Sequence, residues 1–333
     1  MTATNARPLE LVCPAGTPAA LRAAVEAGAN AVYCGFRDET NARNFPGLNF
    51  SRDELREGIA LAHDHGAKVL VAINTFPRAG DCGLWRRAVD DAAVLAADAV
   101  ILADLGLLAY AAKRHPDLRL HLSVQAAAAN SNAVAFYVEA FGVKRVVLPR
   151  VLSVAEIARV SRAVRCETEV FVFGGLCVMA EGRCSLSSYV TGKSPNTHGV
   201  CSPASHVSYR EEDGCLSSRL GDFTINRAGR GEAVGYPTLC KGRFNTSFGT
   251  GHIFEEPVSL DARALLPALR DAGVTALKIE GRQRSRAYVR AVVSAFRESL
   301  DALARGEPVP TGALMALTEG QSATCGAYLK TWR

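Results

Sequence analysis

Residues 69–73, VLVAI, and residues 99–103, AVILA, are apolar on both faces, with none of the alternation of a strand that keeps one side in water. Such a strand belongs in a parallel sheet covered on each side. Similar short β-branched runs recur at Leu9–Cys13, Ala31–Phe36, Arg119–Gln125, Arg145–Leu148, Glu167–Phe173 and Ala276–Glu280, and the two quoted runs extend to Lys68–Asn74 and Ala99–Ala103. Amphipathic stretches lie between them, opened by capping residues: Thr17 ahead of Pro18, Ser51 with Glu54 three residues on, and Ser153 with Glu156. The pattern predicts seven strand–helix alternations, an interruption, a helix over Asp261–Ala272 and an eighth strand. An α/β fold of the (β/α)8-like, TIM-type barrel follows, closed or incomplete, with a doubly wound open sheet as the alternative.

The interruption runs from Gly174 to about Val258 and carries strand-like pieces at His206–Arg210 and Ser218–Ile225. The expected organisation is a barrel-like domain over 9–305, including the insertion 174–258, and a tail over 306–333. The tail's closing aromatics, in GAYLKTWR, suggest that it docks on the barrel. Of the 333 residues, 48% are apolar and 21% charged, which suits a well-packed enzyme. A net charge of +5 favours anionic substrates and is too mild to announce a nucleic-acid partner. Met1–Pro8 reads as no secretory signal, and no apolar run approaches the roughly 20 residues of a membrane helix. Ten cysteines in that setting point to a reducing, cytoplasmic compartment and to metal chemistry, not to disulfides.

Four of those cysteines, Cys177, Cys184, Cys201 and Cys240, fall in the insertion with the spacing C-x6-C-x16-C-x38-C. Thiolates are soft ligands that can close around zinc or an iron–sulfur cluster. Structural zinc favours tight knuckles with two to four residues between paired cysteines, and none occurs here. A cluster several ångströms wide tolerates long gaps. Spacing alone therefore leaves a cluster, zinc and unliganded cysteines open, with the cluster ahead.

The working face of a parallel barrel lies at the carboxyl ends of its strands. Those ends carry Cys13-Pro14, Asn74-Thr75, Asp104, Gln125, Pro149-Arg150 and Lys278 to Arg282. Asp104 reads best as a helix cap; Glu280 and Arg282, beside Gly281, read better as site residues. Arg282, Arg284, Arg286 and Arg290 form by default a solvated helix face, with an anion or RNA contact as the alternative. The loop Thr40–Phe50 is either a substrate lid or an ordered structural loop. His63 and His65 point apart, Cys13, Cys34 and Cys166 read as small buried residues, and G-x-S-x-G, H-E-x-x-H and G-x-G-x-x-G are absent. No residue can be assigned as acid or base.

The stretch Glu169–Ser187, EVFVFGGLCVMAEGRCSLS, resembles the signature of the collagenase-like peptidases of unassigned catalytic type. It departs at Gly175, where that family has Ser or Ala, and around the third cysteine at His198 and Val200. LVCPAG, DETNARNFPGLNF, RVVLPRVLS, YPTLCKGR and KIEGRQRS extend the likeness, which is closest to the branch serving oxygen-independent ubiquinone biosynthesis. The resemblance implies a [4Fe–4S] cluster on Cys177, Cys184, Cys201 and Cys240. It implies a heterodimer with a sister subunit, UbiV, and hydroxylation of a ubiquinone precursor with prephenate as hydroxyl donor. Other branches hydroxylate RNA pyrimidines; the peptidase activity of the family's name is a remote alternative. No nucleic acid and no integral membrane segment are expected in the ubiquinone branch.

Overall fold

The computed structural model describes residues 8–177, 184–232, 235–312 and 314–329. Seven strands alternate with helices: β1 (Glu10–Pro14), β2 (Ala31–Cys34), β3 (Lys68–Ile73), β4 (Ala99–Leu102), β5 (Leu120–Leu122), β6 (Arg145–Val147) and β7 (Glu167–Gly175). The helices between them are α1 (Pro18–Glu26), α2 (Arg52–Asp64), α3 (Gly83–Val94), α4 (Leu105–Arg114), α5 (Ser131–Phe141) and α6 (Val154–Ala163). Thr17 caps α1 by accepting from the Ala20 N–H, and complete capping boxes open α2 and α6.

The insertion holds α7 (Leu186–Thr191), α8 (Pro195–His198), a three-stranded antiparallel sheet of β8 (Val207–Glu212), β9 (Cys215–Leu220) and β10 (Phe223–Ala228), and a hairpin of β11 (Arg243–Thr246) and β12 (Gly249–His252). The chain returns through β13 (Ser259–Asp261), α9 (Leu266–Asp271), β14 (Ala276–Ile279) and α10 (Arg286–Arg305), and β15 (Ala323–Thr324) lies in the tail. The eight strands β14 and β1 to β7 follow one another in parallel, and β7 pairs back to β14 with Glu169 opposite Ala276. The barrel is closed.

Closure explains the apolar character of both faces of these strands. In VLVAI, Val69, Val71 and Ile73 join the apolar shell under the helices, while Leu70 and Ala72 point into the barrel. Inside they meet Val12, Ala31, Tyr33, Ala99, Ile101 and Ala276, mostly small side chains. Hydrocarbon gives way to charge towards the N-terminal end. Arg145, 3% exposed, donates to both Glu10 carboxylate oxygens at 3.0 Å, to Glu167 at 2.7 Å and to Glu169 at 3.2 Å. Glu169 accepts in turn from Lys278 Nζ at 2.6 Å, and that ammonium sits 3.9 Å from the Tyr33 ring.

Three expected elements are corrected. The helix expected over Asp261–Ala272 is shorter, because Asp261 belongs to β13 and holds its own Arg263 guanidinium, and Pro267 sits in the first turn of α9. Ser218–Ile225 is two strands that turn at Gly221, whose φ is +57°. Arg119–Gln125 stops being strand at Leu122, and Val124–Ala126 winds into a 3-10 turn capped by Ser123.

The end of β7 carries a second ladder outside the barrel. β13 runs antiparallel to it and β15 joins β13 in parallel. Tyr328, buried, donates its hydroxyl to the Phe171 carbonyl. No helix among the described residues is long and apolar enough to cross a membrane.

Candidate functional site

The mouth of the barrel is built around the turn after β14, where Gly281 takes φ +149°. Glu280, 6% exposed, accepts from Arg43 Nε at 3.3 Å and Nη2 at 3.2 Å, and from the Gly175 N–H at 3.4 Å. Burial alone would raise its carboxyl, but Arg43, Arg150 and Arg284 outweigh that and hold it below the ordinary range. Arg282, 4% exposed, donates to Asn41 Oδ1 at 3.2 Å, and burial pulls it down to about 10. Arg150 lies 3.6 Å from the centre of the Phe171 ring. The result is a cationic rim around the Glu280 carboxylate.

The loop Thr40–Phe50 is the ordered structural one of the two expected forms. Asn41 donates to the Phe36 carbonyl at 2.7 Å, the Ala42 N–H donates to Asn74 Oδ1 at 3.0 Å, and Asn49 donates to the Arg43 carbonyl at 2.8 Å. Thr75 donates to the Glu39 carbonyl at 2.6 Å, so Asn74 and Thr75 hold the loop. Asp104 caps α4 by accepting from the Leu107 N–H at 2.9 Å. The single solvated arginine face is corrected. Because α10 begins at Arg286, Arg282 and Arg284 precede it and turn inward, whereas Arg286 and Arg290 remain exposed. Cys13 and Cys34 are buried as expected; Cys166 is half-buried.

Cys177 lies two residues past the end of β7, Cys184 precedes α7, Cys201 follows α8, and Cys240 sits in the 3-10 turn Leu239–Lys241. The signature residues 178–183 lie outside the described residues. Burial pushes the Cys201 thiol up, and Cys177 and Cys184 push it further, although the residue keeps an exposed face. Burial, then Cys177, Cys201 and Cys184, push Cys240 up to about 12. Cys240 therefore feels the other three cysteines, and Cys201 feels Cys177 and Cys184.

A mononuclear zinc site holds its sulfurs at about 2.3 Å from one point. Among the described residues no group of three or more His, Cys, Asp or Glu is placed to hold a metal ion in that way. The donor set is all sulfur, a ligand type shared by zinc sites and iron–sulfur clusters. The set adjoins the barrel mouth: Arg43 acts on both Glu280 and Cys201. The chain between α8 and Cys201 rests on the loop, and a Cβ on Gly199 would lie 2.3 Å from the Asn41 carbonyl oxygen. At Gly175 a Cβ would meet Glu319 and Glu280 oxygens at 3.5 and 3.6 Å, so Ser or Ala would fit. Gly174 cannot change so freely, with φ +110° and the Glu280 carbonyl oxygen 2.7 Å from any Cβ.

Sequence reasoning missed Arg43 as the partner of Glu280 and missed Glu319 altogether. They lie 237 and 78 residues from Glu280 and Lys241, the side chains they meet.

Residues 16–323 match Peptidase family U32. The tRNA hydroxylation protein P of Escherichia coli is 33% identical, over 92% of this chain and 71% of its own length. The 23S rRNA 5-hydroxycytidine C2501 synthase of the same organism is 31% identical, over 91% of this chain and 41% of its own length. A protein of Porphyromonas gingivalis named collagenase is 26% identical, over 91% of this chain and 68% of its own length. The match covers the barrel from α1 onward, the four cysteines and the tail to the start of β15, and the chain belongs to peptidase family U32.

Proposed function

We propose that this chain is the iron–sulfur component of a hydroxylase that works without molecular oxygen. In this reading Cys177, Cys184, Cys201 and Cys240 hold one [4Fe–4S] cluster, and the reacting ring enters at the barrel mouth. The observation that carries it is the all-sulfur set beside a cationic mouth, joined through Arg43. When bound, the cluster supplies one-electron chemistry. The chain's own residues do the rest. Arg150 and Arg282 present guanidinium groups to an anionic hydroxyl donor such as prephenate. Glu280 stays ionised and fixes Arg43 between the mouth and the thiols. The loop Thr40–Phe50 brings Arg43 to Glu280 and Asn41 to Arg282.

For the substrate we place the chain in the UbiU branch, acting on a ubiquinone precursor with UbiV as the second subunit in the cytoplasm. The long stretches that resemble that branch support it. The relatives named for RNA hydroxylation support a second reading, an RNA pyrimidine hydroxylase. One feature of the surface favours that alternative. Tyr189, Tyr209, Phe223, Tyr236, Phe248, Ile253 and Phe254 are exposed on the insertion, which also exposes Arg210 and Arg230.

Anaerobic growth of a strain lacking the gene separates the readings. Ubiquinone should fall only without oxygen, and the Cys177→Ala protein should not restore it. Unchanged quinone with loss of a hydroxylated pyrimidine from RNA identifies the second reading. If neither changes and the purified chain cleaves gelatin, the peptidase name is the correct one.

A further inference from the structure

Glu319 lies where three parts of the molecule meet. It opens the 3-10 turn Glu319–Gln321 ahead of β15, and its N–H donates to Ser259 Oγ at 2.9 Å. Gly320 makes that turn at φ +58°, and a Cβ there would lie 2.3 Å from the Pro257 carbonyl oxygen. The turn is thus seated against the chain leading into β13. One carboxylate oxygen of Glu319 accepts from Lys241 Nζ, next to Cys240. The other accepts from Arg284 Nη2 at 3.2 Å, in the turn after β14. Farther along the tail, a Cβ on Gly326 would lie 3.6 Å from Leu176 Cδ2, and Leu176 precedes Cys177.

The tail therefore reaches the neighbours of the first and the last cysteine from a ladder anchored on β7. Among the described residues Cys240 is held by a three-residue 3-10 turn that packs on α7 and by its carbonyl accepting from the Glu255 N–H at 3.2 Å. An exposed ion pair would contribute at most about 1 kcal/mol. Here Lys241 is 13% and Glu319 27% exposed, and one carboxylate bridges two cations. Without it, Lys241 loses its carboxylate partner and Arg284 is left with Glu280 alone.

We propose that Glu319 is a positioning residue whose bridge from Arg284 to Lys241 fixes the turn presenting Cys240, so that the tail clamps the cysteine set onto the barrel mouth. This rests on the reading that the four cysteines hold a cluster. Groups that orient metal ligands from behind typically change metal affinity by about 10- to 100-fold when removed. The partial exposure of this bridge places Glu319 at the lower end.

The test uses the full chain, reconstituted anaerobically with iron and sulfide and then challenged with a ferrous chelator. Loss of the visible cluster band is timed for wild type, Glu319→Gln, Lys241→Met, the double variant and Glu319→Asp. Urea unfolding followed by far-ultraviolet circular dichroism reports the fold separately. Glu319→Gln and Lys241→Met should each lose iron about tenfold faster than wild type, with the double variant no faster than either. Glu319→Asp should recover part of the difference, the urea midpoints should coincide, and Glu298→Gln on exposed α10 surface should match wild type. Release rates equal to wild type in both single variants overturn the proposal while leaving the cluster in place, and so do effects that multiply in the double variant. A wild-type chain that takes up no iron overturns the cluster reading and this inference with it.

Discussion

Arg145→Ala tests whether the charges inside the barrel hold it together. Arg145 is 3% exposed and donates to Glu10, Glu167 and Glu169 at distances from 2.7 to 3.2 Å. Truncation leaves Glu169 with Lys278, but it strips Glu10 and Glu167 of their principal partner. Breaking a buried ion pair by deleting one side costs about 3–5 kcal/mol, because the remaining charge keeps its desolvation penalty. The upper end is expected here, since one cation serves three carboxylates.

The pH dependence carries its own sign. Burial would raise the Glu10 and Glu167 carboxyls, yet Arg145, with Lys68 and Arg119, brings both below their ordinary value. A carboxyl depressed in the folded state contributes stability that is present above its unfolded pKa, about 4.3 for Glu, and lost as pH falls through the folded value. The gap between wild type and Arg145→Ala should therefore be full at pH 7 and narrow below about pH 4. Trp85, 1% exposed and donating to Thr75 Oγ1 at 2.9 Å, gives a fluorescence probe for urea titrations at each pH. A variant within about 1 kcal/mol of wild type at pH 7, or a gap that widens in acid, would refute this reasoning.

Other outcomes follow from the mouth and the insertion. Glu280→Gln keeps the shape but releases Arg43, so kcat/KM should fall at least about tenfold, the loss expected when a charge-assisted bond weakens; steady-state kinetics with the reconstituted protein check it. Gly175→Ser should leave the urea midpoint unchanged, whereas Gly174→Ala should cost about 1–3 kcal/mol, the strain of a left-handed backbone beside a carbonyl oxygen. Metal affinity at such loops is folding free energy. Hydrogen exchange over residues 174–258 should therefore slow markedly when the cluster is loaded, with the barrel strands unchanged; equal protection in both forms would count against ligation there.

The barrel was legible because its signal is local. VLVAI and AVILA carry their double burial in five consecutive residues each, and Ser51–Glu54 and Ser153–Glu156 mark helix starts within a single turn. The insertion was harder to read. β8 is exposed along most of its length, so no buried face imposes a period, and one glycine at Gly221 divides what reads as a single run. Asp261 fitted a helix start until its own arginine and the ladder on β7 claimed it. The candidate site divides in the same way. Its cysteines announce themselves by residue type, whereas Arg43 with Glu280 and Glu319 with Lys241 are pairs made only by folding. A single chain of letters holds no record of which distant charges will meet.

The central claim is that Cys177, Cys184, Cys201 and Cys240 ligate one [4Fe–4S] cluster. Protein isolated without oxygen and assayed for iron, sulfide and zinc, alongside its visible spectrum, tests this most directly. A brown protein with about four iron and four sulfide per chain, and an absorption band that bleaches on reduction, is the expected result. Alanine at any of the four cysteines should abolish the band, while exposed Cys82→Ala should keep it. Stoichiometric zinc with neither iron nor sulfide in the freshly isolated chain would contradict the claim.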